Sequence, residues 1–211
     1  MKLTIFGATG ATGTTLTEQA LAAGHDVTAA VRDASRLKIP EHPRLRVVRA
    51  DVMDPASIAP VVAGADAVIS AVGPRNTGPT TVIRDSVRSI ITAMDKAGAR
   101  RFIEVSGSIV ADEGESLYMR YLVKPLARRT FLRDVCADMR AGENEIRSSD
   151  LDWTIVRPPA LNDKRATNSY RTAIDQNLKH GFSISRADLA VCLLGLVDDP
   201  ASVRRHVAIA N

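Results

Sequence analysis

Gly7-Ala8-Thr9-Gly10-Ala11-Thr12-Gly13 follows the apolar run Leu3-Thr4-Ile5-Phe6 and opens a helical pattern from Thr14 to about Ala23. Three glycines at this spacing, between a strand and a helix, are what a dinucleotide phosphate asks of a chain. The backbone must turn sharply, let a pyrophosphate come close, and seat the helix tightly on the strand. Amides at the helix N-terminus then face the phosphate charge. Gly7, Thr9, Gly10, Thr12 and Gly13 are the candidate residues of such a loop. A tight strand–helix turn with no ligand is the alternative.

Outward from the loop, short β-branched runs alternate with longer helical patterns, the order of a parallel sheet with crossover helices. Strands are expected at Lys2–Phe6, Asp26–Val31, Leu45–Arg49, Ala67–Ser70, Arg101–Val105, Trp153–Val156 and His206–Ala210. Several are near-continuous apolar runs, as in strands covered on both faces. Ile83, Val87, Ile90, Ile91 and Met94 form one helical stripe, as do Leu132, Val135, Cys136 and Met139, and Leu189, Cys192, Leu193 and Leu196. Asp54-Pro55 reads as a helix start and Pro125 as a breaker. The fold expected is α/β: a Rossmann-type doubly wound parallel sheet in one domain over residues 1–211, with residues 160–181 as a small substrate-side cap.

The second strand decides which dinucleotide suits the loop. An NAD site usually places Asp or Glu about 20 residues on, to hold the ribose hydroxyls. Here Arg32 follows the strand, with Arg36 one turn beyond, a pair suited to the 2′-phosphate of NADP. NADPH is therefore the expected cofactor, with NAD left possible by Asp33. Asp51 and Val52 end the third strand, where Asp51 is either an adenine contact or a turn residue. Ala71, Val72 and Gly73 end the fourth, where a close backbone approach wants small residues.

Together Ile5–Gly10, Val31–Leu37, Gly64–Val68, Gly73–Asn76, Pro79–Thr81, Trp153–Pro159 and Ile184–Ala190 resemble the atypical short-chain dehydrogenase/reductase group. The likeness is to its NAD(P)H-binding (NmrA-like) branch, and within it to the biliverdin-IXβ reductase/flavin reductase family. The resemblance implies that Gly10, Thr12, Gly13, Thr14 and Thr15 contact the phosphates and that Arg32 and Arg36 read the 2′-phosphate. It implies that Asp51 and Val52 flank adenine and that Ser106 and Pro158 lie near the nicotinamide; Arg75 joins the candidate cofactor residues. The family's active-site serine falls on Gly107 and its histidine on Ala160, so the likeness extends to hydride transfer more than to one pigment.

The chemistry is expected after the fifth strand, at Val105-Ser106-Gly107-Ser108. The Tyr-x-x-x-Lys pair of common short-chain dehydrogenases is missing: Tyr118 lies six residues before Lys124 and Tyr121 three. Ser106 and Ser108 are read as catalytic-site residues that orient an acceptor or donate weak hydrogen bonds, or else as loop caps. His25, His42, His180 and His206 suggest no metal site. Hydride delivery to a flavin, quinone or tetrapyrrole-like acceptor is the first functional expectation. A non-catalytic NAD(P)H-binding redox sensor is the second, and a nucleotide-sugar epimerase a weaker third.

A formal charge of +4 with only 4% aromatic residues and scattered basic side chains argues against nucleic acid as a partner. No apolar run reaches the roughly 18 residues that span a bilayer, and the N-terminus lacks a secretory pattern. Cytoplasmic location, a small-molecule electron acceptor and a monomer or homodimer are expected. Cys136 and Cys192, on apolar helical stripes, are read as buried thiols rather than a disulfide.

Overall fold

The computed structural model describes residues 1–74, 78–110 and 132–211. Strands β1 (Lys2–Phe6), β2 (Asp26–Val31), β3 (Leu45–Arg49), β4 (Ala67–Ser70), β5 (Arg101–Val105), β6 (Asp152–Arg157) and β10 (Arg205–Ala210) occupy the seven expected stretches. Only β6, by one residue at each end, and β10, by one at its start, run longer than the apolar pattern. All seven are parallel, in the order β3-β2-β1-β4-β5-β6-β10. The chain builds outward from β1 to β3, then returns to β4 on the other side. In open α/β sheets such a reversal marks the ligand crevice, which here falls beyond the carboxyl ends of β1 and β4.

Helices α1 (Ala11–Ala22) and α5 (Arg186–Gly195) cover one face of the sheet; α2 (Pro55–Val62), α3 (Val82–Ala97) and α4 (Arg133–Arg147) cover the other. Strand alternation feeds both layers. In β5, Ile103 joins the α1/α5 core while Phe102 joins the α2/α3/α4 core; in β6, Val156 and Ile155 divide the same way. The α3 stripe buries Ile83, Val87, Ile90 and Met94. Asp54 caps α2 by accepting the Ala56 amide at 3.0 Å, with Pro55 in the first turn. Cys136 and Cys192 are buried and form no disulfide.

Three details depart from the sequence pattern. The first helix starts at Ala11 rather than Thr14, because its first turn, Ala11-Thr12-Gly13-Thr14, carries no large apolar side chain and so no periodic signal. The segment 160–181, expected only as a cap, contributes strands. β7 (Ala160–Asn162) pairs with β9 (Ser183–Ser185) as a separate ribbon, whereas β8 (Arg171–Ile174) extends the main sheet, antiparallel to β10. Most of β8 is solvent-exposed, so no alternation marks it. Thirdly, α3 takes its cap from another helix: Asp138 of α4, 4% exposed, accepts the Ile83 and Arg84 amides at 2.9 and 3.0 Å. A carboxylate there also faces the positive end of the helix dipole. Among the described residues no helix is long and apolar enough to cross a membrane.

Candidate active site at the carboxyl edge of the sheet

The glycine loop is built by close contact. Gly7 holds φ +79°, and a Cβ on it would stand 2.5 Å from the Ala71 carbonyl oxygen, so only glycine lets the turn lie against the exit of β4. A Cβ on Gly13 would stand 2.2 Å from the Gly7 oxygen, which seats α1 on the loop. Gly10 is the helix cap, with extended backbone and no side-chain cap, and the Thr14 amide donates back to its carbonyl at 2.8 Å. The amides of Ala11, Thr12 and Gly13 therefore precede the first intrahelical bond at the positive end of α1. These residues fit an anionic phosphate. The Thr14 and Thr15 hydroxyls donate inward, to Ala8 O at 2.9 Å and Ala11 O at 3.1 Å, so the backbone and Thr12 are left to meet a phosphate.

At the ends of β2 and β3 the side chains are basic and exposed. Arg32 leaves β2, and Arg36 closes the 3₁₀ turn Ala34–Arg36. Asp33 caps that turn: its Oδ1 accepts the Ser35 hydroxyl at 2.7 Å and amide at 3.0 Å. Those two bonds, then the charges of Arg36 and Arg49, hold its carboxyl below the ordinary range. One Asp33 oxygen is thus committed to the turn. Arg49 is a third guanidinium, beside Val31 in the β2–β3 register and exposed. Sequence reasoning passed over it, although the strand ends and the parallel order together would have placed it there. Asp51 makes a turn, its Oδ1 accepting the Met53 amide at 3.1 Å; its carboxylate is exposed and Val52 is half-buried.

Beyond β4, the Ala71 amide donates to Phe6 O at 3.1 Å and the Val72 amide to Ser70 Oγ at 3.5 Å. Gly73 is exposed, with no atom within 4 Å of where its Cβ would be. The ends of β5 and β6 are laced together: Ser106 N–H donates to Val156 O and Ser108 N–H to Pro158 O, each at 2.8 Å. Ser108 is half-buried at the start of a 3₁₀ turn and Pro158 is buried. Arg75, Tyr118, Tyr121, Lys124 and Pro125 lie outside the described residues.

Behind Ser106 stands a buried cluster that the sequence did not announce. Ser106 Oγ donates to Glu143 Oε1 at 2.7 Å. Arg157 grips the same carboxylate with both arms, Nε to Oε1 at 3.0 Å and Nη2 to Oε2 at 2.6 Å, and Arg147 Nη1 reaches Oε2 at 3.2 Å. The Glu143 side chain is 3% exposed. Burial by itself would raise its pKa, but hydrogen bonds and charge from Arg157, with the Ser106 bond, hold it below the ordinary range. A donor reading of Ser106 toward an acceptor does not fit this geometry, because the hydroxyl's one proton is donated to Glu143. Two residues earlier, Glu104 is 1% exposed, and neither of its oxygens has a hydrogen-bond partner among the described residues. Burial pushes its pKa well above the ordinary value; nearby Ser70 opposes the shift and the Glu143 charge adds to it. Glu143 escaped the sequence reading because a Glu in Glu143-Asn144-Glu145 looks like a solvated helix face; Glu145 is one, paired with Arg88 at the surface.

A parallel sheet in this order, with an uncapped helix behind a glycine turn at its switch point, defines a Rossmann-type dinucleotide-binding protein. The chain belongs to the NAD(P)H-binding family whose model matches residues 7–200. It is 34% identical over 203 residues to the uncharacterized protein At2g34460, chloroplastic, of Arabidopsis thaliana, covering 90% of this chain and 70% of that one. It is 29% identical to the uncharacterized protein YwnB of Bacillus subtilis, covering 100% and 99%. Its fold is similar to that of a short-chain dehydrogenase/reductase from Veillonella parvula in complex with NADP, with TM-score 0.84, 19% identity and coverage of 100% and 94%.

Proposed function

We propose that the protein is an NADPH-dependent oxidoreductase that delivers hydride to a planar small-molecule acceptor such as a flavin, a quinone or a tetrapyrrole. The observation that carries this reading is the Ser106 hydroxyl, whose proton is held by Glu143. Tyr-x-x-x-Lys spacing occurs nowhere in the chain. Isolated-carbonyl reduction leans on a protein acid at this edge of the sheet; a conjugated acceptor does not. It takes two electrons and a hydrogen nucleus as hydride at one ring atom, spreads the charge, and draws its second proton from water. Stacking and orientation then supply most of the catalysis.

The bound dinucleotide supplies the hydride, and this chain's residues hold and aim it. The first-turn amides of α1 take the pyrophosphate, with Gly7, Thr9, Gly10, Thr12 and Gly13 shaping the cradle. Arg32, Arg36 and Arg49 take the 2′-phosphate, and Asp33, with one oxygen bonded to Ser35, keeps only the other for a ribose hydroxyl. Asp51 and Val52 border adenine. Ala71, Val72, Gly73 and Pro158 bound the ring slot, beside Ser106 and Ser108, and the β7–β9 ribbon covers the acceptor side. The test is an anaerobic panel of free flavins and quinones with NADPH, following loss of reduced-nicotinamide absorbance. Protein-dependent oxidation is expected. Tight NADPH binding with no turnover across the panel rejects the enzyme reading in favour of a redox sensor.

A further inference from the structure

We propose that Glu143 sets the hydrogen-bonding polarity of Ser106, so that the end of β5 accepts an N–H from the cofactor's carboxamide and turns away a nicotinamide analogue lacking that donor. The inference deepens the NADPH reading and rests on it. With the pyrophosphate at α1 and the 2′-phosphate at β2 and β3, the other half of the dinucleotide runs over the ends of β4, β5 and β6. Ser106 is the first residue beyond β5 and is 8% exposed.

A serine hydroxyl has one proton and two lone pairs. The proton here is 2.7 Å from donor to acceptor on Glu143, and the backbone N–H of the same residue is spent on Val156 O. An ionised carboxylate can only accept, and the Arg157 fork with Arg147 keeps Glu143 ionised. Ser106 therefore presents lone pairs alone. Of the polar groups on a nicotinamide ring, the carboxamide NH₂ is the one that can use them. Glu143 acts through Ser106 and is a positioning residue.

Glutamine cannot replace it in this role. Oε2 receives bonds from both Arg157 and Arg147, so the amide oxygen of Glu143→Gln belongs there. Its NH₂ then faces Ser106 and donates, which frees the Ser106 proton to point outward. The same NH₂ meets Arg157 Nε–H, so one arm of the Arg157 fork is given up as the polarity of the site inverts.

The test compares equilibrium binding of NADP⁺ and its 3-acetylpyridine analogue, whose acetyl group accepts but cannot donate. Wild-type protein is expected to prefer the carboxamide by roughly three- to tenfold, the worth of one hydrogen bond. Ser106→Ala is expected to bind the two about equally, and Glu143→Gln to bind the acetyl analogue as well or better. No wild-type preference, a preference that survives Ser106→Ala, or an unchanged ratio in Glu143→Gln overturns the inference. Should Glu143→Gln fail to fold, wild type against Ser106→Ala decides, since a Ser106 free to turn its proton outward would serve the acetyl carbonyl as well as the carboxamide and show no preference. Failure of wild-type protein to bind either dinucleotide overturns the NADPH reading instead.

Discussion

Glu104→Gln keeps the shape of a side chain buried in β5 and removes its ability to ionise. In the unfolded chain this carboxyl titrates near 4.5, and in the fold well above that. Through the interval between, the unfolded chain releases a proton that the folded protein keeps, so stability falls as pH rises. The slope is about 1.4 kcal/mol per pH unit. The cost is absent below the unfolded value and stops growing once the folded carboxyl ionises. Glutamine carries no such cost. Near pH 4.5 the two proteins should be similar, since a neutral acid and an amide both bury unpaired polar atoms there. Above it the variant should gain on the wild type by that slope, roughly 3–6 °C of melting temperature per pH unit for a chain of this size. Urea unfolding at pH 5, 6, 7 and 8 measures the difference, reported by the single, buried Trp153. A stability difference that does not change with pH, or a variant that loses ground as pH rises, refutes the buried neutral acid.

Two further outcomes follow from the cofactor side. Arg49→Ala should weaken NADPH binding about tenfold, as the loss of one charge-assisted contact to a phosphate, and leave NADH within about twofold; equal effects on both remove Arg49 from the 2′-phosphate site. Gly13→Ala would push a methyl group to 2.2 Å from the Gly7 oxygen, with rigid backbone on both sides. It should cost about 1–3 kcal/mol of stability and abolish the rise in melting temperature on adding NADPH, both read in thermal melts.

The cofactor half of the site was more legible than the chemical half. Gly7 and Gly13 speak through the backbone, because a turn that close excludes every larger residue wherever it occurs. Arg32 and Arg36 are read from their distance to a strand end. Ser106 could be placed by the same logic, but its role could not, since a hydroxyl's direction depends on what stands behind it. Its partner, Glu143, lies 37 residues on. β8 was illegible for a related reason: an exposed edge strand leaves no apolar period.

Local sequence thus determined the seven parallel strands and most of the helices, the glycine turn and the basic end of β2. Each rests on steric or periodic rules that act over a few residues. Tertiary structure alone decided that Arg49 stands beside β2, that Asp138 caps α3, and that Ser106 gives its proton to a carboxylate clamped by Arg157. Charge and hydrogen bonding act through space, and the side chains they join are brought together only when the sheet closes and α4 packs against it.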